Sequence, residues 1–383
     1  MKENDYIQKH KHIVFCIEHY NPLGVVRTLG ENGIQPELIV IRSSRQLTSK
    51  SKYARICHFV NSIEEGYSYL LETYGHEESI PFIYTADDQI TNFLDSKYDE
   101  LNGKFYFYNA GQGGRVAEFQ NKDNILKLAK KHGLQYLKTF AVDVGEIPEG
   151  LEYPIITKAI ISTIDNWKGD MIICHNESEL REAYKKIRSP RVLLQKYIEK
   201  KNELCLEGVS VNKGNNVLIS IASSYNYLLE DSYSPYMTVQ NLHNEKIENS
   251  LKEMFKEIQF EGIFEVEFLV DKDDQLYFLE INFRNSTWSY ASTVAGMPLP
   301  VLWSKGMLNP SVIDSAYQVI TTPFTAMVEF DDYVKRVKRH KVTIWKWISD
   351  CRQCKCRYYL GRHDSRPFFS MLGSIVSSKF RKR

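Results

Sequence analysis

The chain has 383 residues, 43% apolar and 25% charged, a composition that excludes the disordered and fibrous classes and leaves room for two or three compact units. A formal net charge of +1 conceals a partition: residues 331–383 carry 15 lysines and arginines against four acids, a net +11, which leaves −10 for residues 1–330. Residues 1–12 lack the apolar core of a signal peptide, and no later stretch reaches the roughly 18 consecutive apolar residues of a membrane span. The chain therefore reads as cytoplasmic. Its seven cysteines read as free thiols. Cys351, Cys354 and Cys356 are closely spaced, but no second Cys or His pair nearby completes four zinc ligands.

From residue 12 to about 115, β-branched and aromatic runs alternate with helical stretches. Strands are predicted at 12–18, 37–41, 56–60, 82–85 and 104–108, with helices at 23–32, 62–74 and 88–101. This order implies a parallel sheet with both faces covered. Ligands of such sheets sit at the carboxyl ends of the strands, here 19–24, 85–88 and 110–115. Gly111, Gly113 and Gly114 lack the Lys-Ser/Thr pair of a P-loop. A helix at 121–132, stopped by Gly133, opens a small α+β lobe with strands at 137–142, 155–160 and 171–174 and a helix at 177–187. A second, sheet-rich lobe has strands at 191–198, 203–211 and 217–223, a helix at 245–257, and a hairpin at 264–282.

The hairpin, GIFEVEFLVDKDDQLYFLEINFRN, carries the chemistry. A connection at 272–275 pairs Glu267 with Glu280 and Glu265 with Asn282, so that all four side chains project to one face. Two carboxylates opposite each other destabilise a sheet unless a cation lies between them. Carboxylates and an amide oxygen are the hard donors that Mg²⁺ takes. The competing reading is a solvated polar face. Arg284 continues the alternation and could hold an anionic group. Lys158 stands in an apolar strand, where an unpartnered cation is costly, and Lys168 follows in a turn-like NWKGD. Two lysines reaching one cleft suit a polyphosphate, whereas each alone could snorkel to the surface. The run 194–203 passes from a strand through a polar turn to Glu203, which would suit a backbone hinge reading a base and a carboxylate receiving sugar hydroxyls. An ordinary strand-turn-strand fits it equally.

In order, Lys122, Lys158, Gln195 to Ile198, Glu203, Glu267, Glu280 and Asn282 resemble the motif set of the ATP-grasp superfamily of carboxylate-amine ligases. Within it, EINFRNS, AGMPLP and the basic end look most like the short carbamoyl-phosphate-synthase-like ligases and D-aspartate ligases. The resemblance implies an α/β and α+β chain. Its units would be a Rossmann-like parallel domain (1–115), two lobes clamping ATP (116–190 and 191–310), and a basic carboxyl-terminal segment (311–383). By analogy Lys122, Lys158 and Lys168 face phosphates, Lys196, Tyr197 and Ile198 read adenine, Gln195 replaces the commoner acid there, and Glu203 binds ribose. Glu267, Glu280 and Asn282 match the ligands of one or two Mg²⁺ ions, with Mn²⁺ as a substitute, and Arg284 and Lys158 act on the transferred phosphoryl group. The implied activity makes an acyl phosphate and joins it to an amine, so the partners are ATP and two small molecules, a carboxylate and an amine. The alternatives are a kinase acting on a non-carboxylate acceptor and a nucleotide-binding protein without catalysis. The covering loop at 162–170 departs from the family in having a single glycine.

Tyr225, Tyr227, Tyr236 and Asp88 are candidate acceptor contacts. In the basic segment, apolar residues at 368–376 recur at helical spacing. That is the pattern of a helix packed on the core or of one lying on an anionic membrane or acidic partner. The chain could thus be peripheral at a membrane. No nucleic-acid-reading motif is present, and a homodimer is compatible with the sequence.

Overall fold

The computed structural model describes residues 6–43, 46–160, 170–229 and 233–380. Among them are three sheets. In the first, β1 (His12–Ile17), β2 (Glu37–Ile41), β3 (Ile56–Val60) and β4 (Phe82–Tyr84) run parallel in the order β3-β2-β1-β4. The central strand β1 is buried along five successive residues, as a parallel strand covered on both faces must be. Helices Tyr20–Glu31, Ile63–Tyr74 and Asp88–Ser96 are capped by the side chains of His19, Ser62 and Asp87, which accept backbone N–H groups of the first turn. The caps of the first and third helices sit where β1 and β4 end, which brings His19 and Asp88 to one rim.

Two predicted elements differ. Residues 104–108 form only a parallel bridge, Phe82 with Tyr106, because Phe105 and Phe107 turn into one core and Tyr108 into another. Asn109 then crosses to bridge Glu261. The helix expected over 88–101 breaks at Lys97 into Asp88–Ser96 and Tyr98–Leu101.

The first lobe holds β5 (Thr139–Asp143), β6 (Ile155–Lys158), β7 (Ile173–Cys174) and β8 (Arg191–Lys196) in the order β5-β8-β6-β7. Its core of Val142, Ile155, Leu180, Val192 and Leu194 is separate from the large core shared by the other two sheets. The third sheet has β9 (Lys200–Val211), β10 (Asn216–Tyr225), β11 (Tyr236–Gln240), β12 (Gly262–Asp271), β13 (Leu276–Asn282), β14 (Phe324–Met327) and β15 (Cys356–Arg357), ordered β13-β12-β9-β10-β11-β14-β15. At Gly208 in β9 a Cβ would lie 2.3 Å from the Phe264 ring and 2.4 Å from the Leu218 carbonyl, so only glycine fits this crossing.

Residues 311–383, expected as a separate segment, instead supply β14 and β15 and return to the amino-terminal unit. Buried Arg27 donates to the carbonyls of Tyr358, Tyr359 and Asp364 and, at 3.1 Å, to the Asp364 carboxylate. Glu329 accepts the backbone N–H groups of Tyr358, Tyr359 and Leu360. A composition-based boundary misses this because the net charge of the segment says nothing of its aromatics, and Tyr358 and Tyr359 lie in the core. The helix Arg366–Phe380 lays Phe368 and Met371 against that core. The three closely spaced cysteines are packing and hydrogen-bonding groups: Cys354 Sγ donates to the carbonyls of Thr325 and Cys356, and Cys351 Sγ contacts Met327 Sδ.

Candidate functional site

In the hairpin β12–β13, Glu267 stands opposite Glu280 and Glu265 opposite Asn282. This is the expected pairing, reached by a different route. The turn end is out by one, with Val270 opposite Leu276, and a bulge between Glu267 and Phe268 restores the register at the carboxylates. Had the strands paired evenly from that turn, Glu280 would face the other side of the sheet. On the far side of β12, Glu207 opposes Glu265 and Cys205 opposes Glu267. Glu203, Glu207, Glu265, Glu267 and Glu280 thus share one face with Asn282.

Cations ring this face. Lys122, the first residue of the helix Lys122–Lys131 behind the Asn121 cap, places Nζ 2.8 Å from Glu280 Oε2. Lys158, at the end of β6, donates to Gln195 Oε1 at 2.7 Å, and Gln195 donates in turn to Thr139 Oγ1 at 3.0 Å. Arg284 Nε lies 2.9 Å from Asp88 Oδ1, joining the second lobe to the amino-terminal rim.

Titration follows this geometry. Burial, then the charges of Glu280, Glu265 and Glu203, push the Glu267 carboxyl well above the ordinary range. Burial also disfavours charge on Glu280, but Lys122, Lys158 and Arg284 outweigh it and hold its carboxyl below the ordinary value. Burial and the neighbouring Lys122 charge lower the Lys158 ammonium to about 8. Arg284 is raised because Asp88 and Glu265 overcome its desolvation.

Glu203 accepts from Lys200 Nζ and from the Tyr225 hydroxyl. The turn between β8 and β9 is Tyr197, Ile198 and Glu199. Tyr197 N–H bonds the Pro154 carbonyl at 2.9 Å, and Lys196 sends its ammonium to the Tyr153 carbonyl, also at 2.9 Å. Of the predicted residues, Lys122, Lys158, Gln195, Glu203, Glu267, Glu280, Asn282 and Arg284 are brought together. Lys196 spends its ammonium on the Tyr153 carbonyl, and Lys168 lies outside the described residues, as does most of the expected covering loop. Tyr225 reaches Glu203, whereas Tyr227 bonds Asp332 at 2.7 Å and Tyr236 lies under Arg336.

Sequence reasoning passed over Glu207. It is fully buried and accepts from Ser286 and Ser289. The signal was there: NELCLEG places Glu203, Cys205 and Glu207 at period two, on one face.

The donor set suits a hard divalent ion. Glu267 and Glu280 are carboxylates whose mutual repulsion a cation relieves, and Asn282 adds an amide. As placed, Asn282 Nδ2 donates to Glu265 at 3.1 Å and Glu267 at 3.0 Å, with Oδ1 toward Arg284. Ligation through oxygen needs this amide turned over. No three His, Cys, Asp or Glu side chains converge as a cage among the described residues, so the remaining ligands would be water and phosphate oxygens.

Residues 113–305 match the family described as carbamoyl-phosphate synthase L chain, ATP binding domain. A curated relative, N5-carboxyaminoimidazole ribonucleotide synthase of Staphylococcus aureus (strain COL), is 28% identical over 185 residues, 45% of this chain and 47% of its own. The chain thus spans about half the length of the curated relatives it matches. The crystal structure of L-amino acid ligase from Bacillus licheniformis is similar with a TM-score of 0.64 at 14% identity, covering 83% of this chain and 80% of that one. N5-carboxyaminoimidazole synthetase from Staphylococcus aureus complexed with ADP gives a TM-score of 0.63 at 17% identity, covering 87% of each chain. With half of its length matched, beginning just before the Lys122 helix and ending beyond Arg284, the chain belongs to the carbamoyl-phosphate synthase L chain ATP-binding family and has the ATP-grasp fold.

Proposed function

We propose that the chain is an ATP-dependent ligase that activates a carboxylate as an acyl phosphate and joins it to an amine, releasing ADP and phosphate. One observation carries the reading: opposed Glu267 and Glu280, with Asn282 beside them, face Lys122, Lys158 and Arg284. In this reading residues 1–115 shape the acceptor side, while 116–190 and 191–310 clamp the nucleotide. Gln195 and the backbone of Lys196, Tyr197 and Ile198 border adenine, and Glu203 receives ribose hydroxyls. Lys168 would add a phosphate contact. Lys122, Lys158 and Arg284 lie against the phosphates and offset charge developing on the transferred phosphoryl group.

Glu267, Glu280 and Asn282 would hold Mg²⁺, which when bound neutralises phosphate oxygens and charge developing on the transferred group. An oxygen of the substrate carboxylate attacks the γ-phosphorus and ADP leaves. The amine then attacks the acyl carbon, phosphate leaves carrying that oxygen, and the amine gives up its proton. Positioning and electrostatics supply most of such catalysis. Purified protein should form ADP only when both a carboxylate and an amine are present, and Glu280→Ala should abolish it. ADP formation indifferent to the amine, with a stable phosphorylated product, would assign a kinase instead.

A further inference from the structure

The positive charge of residues 331–383 has a specific focus. Residues 333–349, YVKRVKRHKVTIWKWIS, hold six lysines and arginines and no acid. Lys338, Arg339, His340, Lys341 and Lys346 are all exposed. At the first turn of the helix Ile344–Gln353, Trp345 is 77% exposed and Ile344 40%, and Val334 at the other side of the turn is 44% exposed. Tryptophan in water beside aliphatic groups and cations is an unusual arrangement for a protein surface.

The tip stands on a rigid base. Buried Arg336 bonds Asp332 at 2.7 Å and Asp350 at 2.9 Å, and its guanidinium stacks over Tyr227 and Tyr236. Trp347 packs edge-on against Tyr333. Asp350 also takes Lys346 at 2.6 Å. The two nearest acids are thus directed inward, onto the base. Thr343 caps the helix that carries Trp345, its side chain accepting the Lys346 N–H.

From this arrangement we propose that the 334–346 tip is a membrane-docking surface for an anionic bilayer. Trp345 and Ile344 enter the headgroup boundary, and Lys338, Arg339 and Lys341 meet acidic lipid. Charge complementarity selects this occupant. A second copy would set two cationic tips face to face. Nucleic acid would match the cations and one ring, but it gives no place for exposed Ile344 and Val334. The helix Arg366–Phe380, the earlier candidate, spends Phe368 and Met371 on the core, although Phe369 remains 62% exposed.

The test uses the full chain with vesicles of phosphatidylglycerol and phosphatidylcholine in equal parts, against phosphatidylcholine alone. The protein should sediment with the former only. Trp345→Ala and the pair Lys338→Glu/Lys341→Glu should each lower partitioning by ~10-fold. Brominated acyl chains should quench tryptophan emission in the wild type and not in Trp345→Ala. Circular dichroism and thermal midpoint identical to wild type establish that these surface variants are folded. Equal sedimentation with both vesicles, unchanged partitioning of the variants, or loss on Phe369→Ser in place of Trp345→Ala would each overturn the proposal. So would retention on a single-stranded DNA oligomer without vesicle binding, or self-association that Trp345→Ala abolishes.

Discussion

Lys122 and Glu280 form an ion pair 2.8 Å long between the first turn of the helix Lys122–Lys131 and the strand β13. Burial alone would disfavour both charges; each is stabilised by the other. Replacing Lys122 with Met leaves Glu280 beside Glu267 with one fewer cation. It should cost about 10²–10³ in kcat/KM for ATP. Glu280→Gln should cost a similar factor, and the double variant less than the product of the two, because both act on one interaction. Steady-state kinetics of the three variants checks this.

The Lys158 ammonium, lowered to about 8 by burial and by Lys122, gives a pH signature. Polyphosphate favours its charged form, so above pH about 8 nucleotide binding must be accompanied by proton uptake, and affinity must fall as pH rises. Titration calorimetry in two buffers of different ionisation enthalpy should detect the proton. Lys158→Met should remove it, together with the slope.

Buried His12 is bonded to the Tyr84 hydroxyl at 2.8 Å and the Ile7 carbonyl at 2.9 Å, and burial lowers it from 6.5 to about 4. Between those values the unfolded chain binds a proton that the folded one does not. Its contribution to stability is therefore complete above pH 6.5 and is lost as pH falls toward 4. The midpoint of thermal unfolding should drop through that window, and His12→Gln should flatten the drop.

Arg27, 1% exposed, ties the amino-terminal unit to residues 358–364. Arg27→Met leaves the buried Asp364 carboxylate with the Ser51 hydroxyl and the Lys52 N–H but no cation, and should cost about 3–5 kcal/mol in urea unfolding. Arg27→Met/Asp364→Leu should recover part of that loss. Gly361 lies under the guanidinium, where a Cβ would be 2.8 Å from Cζ, so Gly361→Ala should also destabilise.

Much of this molecule is readable in its sequence where local pattern and burial agree. β1, β2, β3 and the capped helices follow from alternating apolar runs and their flanking residues. The opposition of Glu267 and Glu280 was legible because the two acids interrupt otherwise apolar strands. The bulge that produces it was not, since the consecutive apolar residues Phe278 and Leu279 hide the break in alternation that it makes. Period two places Glu207 on the face of Glu203, but its partners, Ser286 and Ser289, lie some eighty residues away, where no local pattern points to them. The Arg27–Asp364 bond spans still more of the chain.

The ligase reading is tested most directly by following one oxygen atom. Once a productive carboxylate and amine pair is found by ADP release, the carboxylate is supplied labelled with ¹⁸O and the phosphate is analysed by mass. The account predicts one labelled oxygen in each phosphate released, carried over from the acyl phosphate. Phosphate bearing only unlabelled oxygen would contradict it.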